Sequence, residues 1–301
     1  MGGTPELLER VETTGLLPAG EPVVVLLSGG RDSVCLLDVA VRLAGSGAVS
    51  ALHVNYGLRD ESDGDEDHCR TLCAQLGVEL AVQRSPRPEH AGNLQAWARD
   101  VRLGAGAAAA GARGANLATG HTATDQAETV LYRLAASPGR RALLGMAERD
   151  GGLVRPLLRV TREQTAAYCT ARGLSWRDDA SNEDPVYARN RVRANLVPAL
   201  RELHPAAEAN IVRTAELLRD EAAVLDEVVD TALARLVVRR LAEDAAGRLC
   251  PRAAVRLEDV LTLGDGALDL GDGARAVVKG GVLRVEPTPQ GRSAPRACTS
   301  T

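Results

Sequence analysis

Residues 23–44 constrain this chain more than any others. VVVLL (23–27) is a continuous, β-branched apolar run, the pattern of a strand buried on both faces. The turn SGGRDS (Ser28 to Ser33) follows at once, and VCLLDVAVRLA then carries apolar residues at helical spacing. Gly29 and Gly30 allow a sharp turn and a close approach to a ligand. The free N–H groups at the start of the helix, with its dipole, favour an anion there. Ser28 and Ser33 add hydroxyl donors, and Arg31 lies in the same cradle. Asp32 is placed to hold a Mg²⁺ that bridges phosphates. The turn is neither GxxxxGK[ST] nor GxGxxG. The plain alternative is an ordinary glycine turn capped by serine.

The alternation continues beyond this unit. VSALHV (49–54) and VELAVQ (78–83) read as strands, separated by an acidic segment from Asp60 that leads into a helix ending near Gly77. A long Ala-rich helix is expected at 92–112, a fourth strand at 115–120 and a helix over TDQAETVLYRLAA. Strands alternating with helices predict a doubly wound parallel sheet, an α/β fold. LVRPLL (153–158) reads as one more strand. Thr161 and Gln164 form a capping box for a helix to about Arg172, and a further helix is expected from Val186 to Leu200. These segments place a catalytic domain at 1–203. A long amphipathic helical stretch at 206–242, a candidate homodimer surface, and short Gly-split apolar runs to Val285 suggest a helical and small α+β appendage at 204–286. A disordered tail is expected at 287–301.

Composition bounds the class. The chain has 301 residues, 45% of them hydrophobic and 25% charged, as soluble proteins do. No apolar run approaches the roughly 20 residues that span a bilayer, and the first fifteen residues lack the features of a signal peptide. Six cysteines without a CxxC suit free thiols in the cytoplasm. Cys69 and Cys73, four apart, would make at most half a metal site. The net charge of −4 argues against a polyanion partner until the charges are located. Arg133 to Arg201 holds thirteen Arg against seven acids, or +6, while Asp60 to Asp67 is acidic with no basic residue. A basic stretch after the nucleotide motif is what a nucleic-acid substrate requires.

SGGRDS resembles the SGGxDS pyrophosphate loop of the N-type ATP pyrophosphatases. ALHVNYGLR (51–59), ATGHTATDQAETVLYRL (118–134), GLVRPLL (152–158) and DASNEDPVYARNRVRANLVPAL (179–200) resemble, in order, four further motifs of one branch, the tRNA(Ile)-lysidine synthases. The resemblance covers about residues 23–200. It implies an adenine-nucleotide α-hydrolase-like, Rossmann-like sheet and an ATP-dependent ligase that forms a C–N bond. ATP would adenylate the C2 oxygen of the wobble cytidine in the CAU-anticodon isoleucine tRNA, releasing pyrophosphate. L-lysine would then attack C2 and release AMP, giving lysidine.

His53 and Asn55 end the second strand, at the edge where such sheets bind ligands, and are expected near the adenosine. His121 and Asp125 are spaced to share a helix face. A His–Asp pair can polarise an oxygen and accept a proton from an attacking ammonium, and the resemblance puts the catalytic residues there, with Asp32. Thr122 and Thr124 stand where the family has His and Asp. Glu128 is a candidate for the lysine ammonium. Arg99, Arg102, Arg140, Arg141, Arg189, Arg191 and Arg193 are candidates for ATP or tRNA contacts. Trp97 reads as core, and Tyr187 as a stacking candidate or a helix anchor. Among alternatives, a tRNA 2-thiocytidine synthetase would carry CxxC pairs, and GMP or NAD synthetases need ammonia delivery. A non-catalytic nucleotide- or tRNA-binding protein is a reading of another class.

Overall fold

Strand β1, Val23–Leu26, is buried along its whole length, and its side chains alternate between two cores. Val23 and Val25 join one core with Val34 and Leu37 of helix α2 (Arg31–Ala44), Leu72 of α3 (Ser62–Leu76) and Tyr168 of α7 (Arg162–Arg172). Val24 and Leu26 join the other with Ala110 of α4 (Leu94–Arg113). This two-sided burial is why the run is continuously apolar. The coordinates, a computed structural model, describe residues 4–57, 62–85, 94–137, 139–177, 188–280 and 282–289, without the side chains of 95, 141 and 226–231.

The main sheet also contains β2 (Val49–Asn55), β3 (Glu79–Arg84), β4 (Asn116–Ala118), β5 (Arg149–Asp150) and β6 (Leu153–Val154). Its order is β3-β2-β1-β4-β6-β5, with only β5 antiparallel to its neighbour. Strand order reverses at β1, so the carboxyl end of β1 opens a crevice of the kind that binds ligands in α/β sheets. The loop Ser28–Gly30 emerges there, beside the loop that joins β4 to α5 (Ala123–Ala136).

Three elements depart from the sequence reading. Helix α1 (Thr4–Glu12) was not anticipated; its Leu7 and Val11 close the first core. The strand expected at 153–158 stops at Val154, because Pro156 has no N–H and Leu158 N–H turns back to Arg155 O at 3.2 Å. The helix expected at 186–200 is broken into α8 (Ala188–Arg191), a π-helical stretch Val192–Leu196, and α9 (Val197–Leu203). The break lies beside Pro198, whose missing N–H interrupts the ladder. Residues 186–187, including Tyr187, lie outside the described residues, as do 290–301 of the expected tail.

The chain divides into two compact units, Met1–Leu218 and Arg219–Thr301. The first also contains α6 (Arg140–Leu143) and the start of α10 (Ala207–Ala246), where Val212 packs on Ala123 and Ala127. The second is a small α+β unit. Its antiparallel strands β7 (Gly266–Gly271), β8 (Ala274–Lys279) and β9 (Val282–Pro287) surround a core of Val238, Ala242, Leu257, Val260 and Leu270, with α11 at Leu257–Leu261. Among the described residues no helix is long and apolar enough to cross a membrane.

Candidate active site

The loop after β1 is held from both sides. Gly29 has φ of +82°, a conformation that favours glycine. Ser28 N–H donates to Ser33 Oγ at 3.1 Å, and Ser33 Oγ donates to Gly30 O at 2.8 Å. Gly30 caps α2 without any side-chain cap, so the first N–H groups of the helix face the crevice. Gly120, after β4, approaches so closely that a Cβ would lie 3.0 Å from the carbonyl of Asp32. His53, buried at the end of β2, contacts Leu27 O through Nδ1 at 2.9 Å. A cleft lined by Ser28, His53, Asn55, Tyr56, Asp65 and Arg102 opens beside the loop.

The second part of the site is the start of α5. Thr122 caps the helix in a capping box with Asp125. Asp125 Oδ2 accepts from Thr122 N–H and from Thr122 Oγ1, each at 2.8 Å. Asp125 Oδ1 is 3.0 Å from Arg162 Nη2 and 3.1 Å from Arg189 Nη2. Burial pushes the Asp125 carboxyl up, but Arg162 and Arg189, with His121 and the Thr122 N–H, outweigh it and hold it at about 2. Glu128, one turn on, has a side chain with 0% exposure. Arg189 Nε donates to its Oε2 at 3.0 Å, while Arg193 reaches Oε1 and Oε2 at 2.6 and 3.0 Å. His121 lies outside the helix, ahead of the Thr122 cap, so the shared helix face expected with Asp125 does not exist. Its Nδ1 is 2.8 Å from Thr119 Oγ1. Burial pushes the imidazole down; Asp125 opposes this, and Arg189, Arg155 and Arg102 reinforce it, giving about 3. His121 is therefore neutral at neutral pH.

One residue that the sequence reading overlooked joins these parts. Arg162, the first residue of α7, places Nε 3.4 Å from Asp32 Oδ2 and Nη2 3.0 Å from Asp125 Oδ1. Thr165 Oγ1, one turn on, donates to Asp32 Oδ1 at 2.5 Å. The loop after β1 and the start of α5 therefore form one centre, in which Asp32, Asp125 and Glu128 meet Arg31, Arg162, Arg189 and Arg193.

Comparison with known proteins identifies the family. A PP-loop domain model matches residues 8–200. A tRNA(Ile)-lysidine synthase of Pseudomonas fluorescens (strain Pf0-1) is 40% identical over 211 residues, 68% of this chain and 47% of the relative. One of Salinispora arenicola (strain CNS-205) is 42% identical over 242 residues, 75% of this chain and 70% of the relative. The chain belongs to the tRNA(Ile)-lysidine synthase family. It spans about half the length of the first curated relatives it matches, 47% and 53%. Among solved structures, the U34-tRNA thiolase NcsA from Methanococcus maripaludis, with its [4Fe-4S] cluster, shares the fold. Its TM-score is 0.60 at 19% identity, covering 71% of this chain and 78% of that one.

The other residues singled out within the family motifs have varied positions. Asn55 is buried and engaged, donating to Asp63 Oδ1 and Glu66 Oε2 at 3.1 and 2.9 Å. Tyr56, where the family motif has His, donates to Ala98 O at 2.7 Å and meets Trp97 edge-on at 5.5 Å. Arg99 and Arg191 are exposed, and Arg102 lines the cleft. Arg140 donates to Leu218 O at 3.3 Å; the Arg141 side chain lies outside the described set. Arg189 and Arg193 are half-buried and engaged by Glu128 and Asp125. Thr124 Oγ1, at the position of the family Asp, accepts the Arg162 N–H at 3.4 Å. Cys69 Sγ lies 3.5 Å from His53 Nδ1, and burial pushes the Cys73 thiol up to about 11. Among the described residues no group of three or more His, Cys, Asp or Glu could hold a metal. A cation held by one carboxylate and by nucleotide phosphates fits the donors present, since Mg²⁺ keeps much of its shell from water and phosphate. Asp32, 18% exposed at the phosphate turn, is the carboxylate in that position.

Arg177 was also overlooked. Its N–H donates to Gly29 O at 3.0 Å and its Nε to Asp65 Oδ1 at 2.5 Å, so it clamps the phosphate loop from the far side. Neither Arg162 nor Arg177 belongs to a motif of recognisable spacing. The only sequence signal for Arg162 was its place inside the Thr161–Gln164 capping box.

Proposed function

We propose that this chain ligates L-lysine to C2 of the wobble cytidine of the CAU-anticodon isoleucine tRNA, using ATP and giving lysidine, AMP and pyrophosphate. The observation that carries the reading is the junction at Arg162, which puts the phosphate turn and the Asp125–Glu128 carboxylates in one centre. A nucleotide phosphate and a cationic amine require opposite charges side by side, and this centre offers both.

In the first step the N–H groups at the start of α2, with Ser28 and Ser33, hold the ATP phosphates. The cytidine C2 oxygen attacks the α-phosphorus, and the bond to the β-phosphate oxygen breaks. Mg²⁺, held at Asp32, supplies charge neutralisation of the phosphates when bound. Donors aimed at the α-phosphate stabilise the charge that develops there. Adenosine occupies the cleft beside His53, and His53 itself braces the loop through Leu27. In the second step the lysine amine attacks C2, and the bond to the AMP oxygen breaks. The ammonium first loses a proton to solvent, because His121, held at about 3, is too weak a base to take it; the neutral imidazole instead accepts a hydrogen bond from the amine. Asp125 stays ionised and, with Glu128, receives that ammonium in exchange for part of its arginine contacts. Arg99, Arg102, Arg140, Arg141 and Arg191 contact tRNA phosphates, and the second unit contributes to tRNA recognition.

Pyrophosphate release from ATP in the absence of lysine tests this order. It is expected to require the CAU-anticodon isoleucine tRNA. Release at the same rate without tRNA contradicts the reading.

A further inference from the structure

Arg162 occupies an unusual place. A guanidinium carries one charge, yet this one faces three carboxylates: Asp32 at 3.4 Å, Asp125 at 3.0 Å and Glu128 at 3.9 Å. Asp125 and Glu128 each have another arginine, Arg189 for both and Arg193 chiefly for Glu128. Asp32 has less. Its Oδ1 accepts from Thr165 and from Arg31 Nε at 3.3 Å, and its Oδ2 pairs with Arg162 Nε, with Arg193 acting from further off. That Nε is buried and makes no hydrogen bond, so its contact with Oδ2 is electrostatic and poorly aligned. The backbone of Arg162 is fixed by the α7 capping box and by Thr124 Oγ1, so the side chain is anchored at its base and free to divide its head among the three acids.

We propose that Arg162 is a positioning residue that neutralises Asp32 while the phosphate site lacks a cation, and yields Asp32 Oδ2 to the divalent ion that arrives with the nucleotide. Once released, its Nη2 remains on Asp125 and its Nη1 can close on Glu128. Binding at the phosphate turn thereby holds the two carboxylates of the second step in place until the ammonium displaces part of their arginine contacts. The ordinary salt-bridge role makes a different demand: a merely structural Arg162 would hold α7 to α2 and would not compete with a metal.

This inference rests on the assignment of Asp32 as the metal-holding carboxylate. The test is Mn²⁺ binding to the protein carrying a non-hydrolysable ATP analogue, read by electron paramagnetic resonance against the analogue alone. Removing a competing cation should tighten binding, so Arg162→Gln is expected to bind Mn²⁺ about ten-fold more tightly than the parent. Arg162→Lys, which keeps the charge, should stay near the parent. Arg162→Met keeps the packing of the stem and should match Arg162→Gln, which covers a folding defect in either one. At saturating Mg²⁺ and ATP, Arg162→Gln should lower kcat and Arg162→Lys restore most of it. Mn²⁺ affinity unchanged in both neutral variants, or no detectable Mn²⁺ in any of them, overturns the inference. Asp32→Asn separates the two ideas: if it leaves Mn²⁺ affinity untouched, the assignment of Asp32 itself fails.

Discussion

Arg193 grips Glu128 as a fork, with Nε 2.6 Å from Oε1 and Nη2 3.0 Å from Oε2. The carboxylate has no exposure, so the guanidinium compensates a charge withdrawn from water. Arg193→Ala leaves Glu128 with Arg189 and a distant Arg162. The expected loss is about 2–3 kcal/mol of stability, somewhat below the full cost of an unpaired buried charge. Urea denaturation of the variant measures it, and a loss under about 0.5 kcal/mol contradicts the pairing.

Arg191 provides the contrast. Its side chain is exposed beside two arginines that are engaged inward. Arg191→Ala should weaken tRNA binding and reduce the slope of log affinity against log salt by ~1. Filter binding across a salt series reads that slope. Weaker binding with an unaltered slope would mean that Arg191 meets no phosphate.

Gln126 is spent on the fold, although it lies in the catalytic motif. Its Nε2 donates to Met146 O at 2.8 Å, and its Oε1 accepts from Met146 N–H at 2.7 Å. Gln126→Ala removes both hydrogen bonds to this buried backbone, at a cost of about 1–3 kcal/mol. A thermal melt should show that drop; an unchanged melting temperature with lost activity would assign Gln126 to substrate instead.

Gly120 sets the spacing between β4 and the phosphate turn. The Cβ of Gly120→Ala would stand 3.0 Å from the Asp32 carbonyl and 3.1 Å from Ser33 N, and rigid backbone cannot give way cheaply. ATP affinity should fall at least ten-fold, about 1.4 kcal/mol, with the sheet intact by circular dichroism. Full ATP affinity would show that the turn tolerates displacement.

The pH dependence of stability follows from two depressed groups. His121 goes from an ordinary 6.5 to about 3 in the fold, and Asp125 from 3.8 to about 2. In each case the unfolded chain binds the proton first, so acid favours unfolding. The His121 contribution is complete above 6.5 and declines as pH falls toward 3. The Asp125 contribution is complete above 3.8 and declines toward 2. Denaturant titrations from pH 7 to 4 should show a falling arm that His121→Gln flattens; an equal arm in both proteins would place His121 in water.

The sheet was legible because local and global preferences agree in it. VVVLL is apolar on both faces since helices cover both, and the Gly29–Gly30 turn needs glycine for its backbone. Where the reading failed, local turn chemistry or a distant partner decided the outcome. LVRPLL is a strand by composition, yet Pro156 and the Arg155–Leu158 turn end it at Val154. Helix α1 holds only Leu7 and Val11 in the core, too weak a pattern beside an uncommitted N-terminus. In the site, Asp32 and Asp125 were recognisable from motifs. Arg162 was not, because its partners are distant in sequence, with Asp125 37 residues away. The same holds for Arg189 and Arg193, which look like surface cations until Glu128 is found beneath them.

Lysine transfer tests the central claim most directly. Purified protein is incubated with ATP, Mg²⁺ and labelled L-lysine, together with either the CAU-anticodon isoleucine tRNA or the methionine tRNA. The account predicts label in the isoleucine tRNA alone, lost when Asp32 and Asp125 are both replaced by Ala. Label absent from the isoleucine tRNA, or undiminished in that double variant, contradicts it.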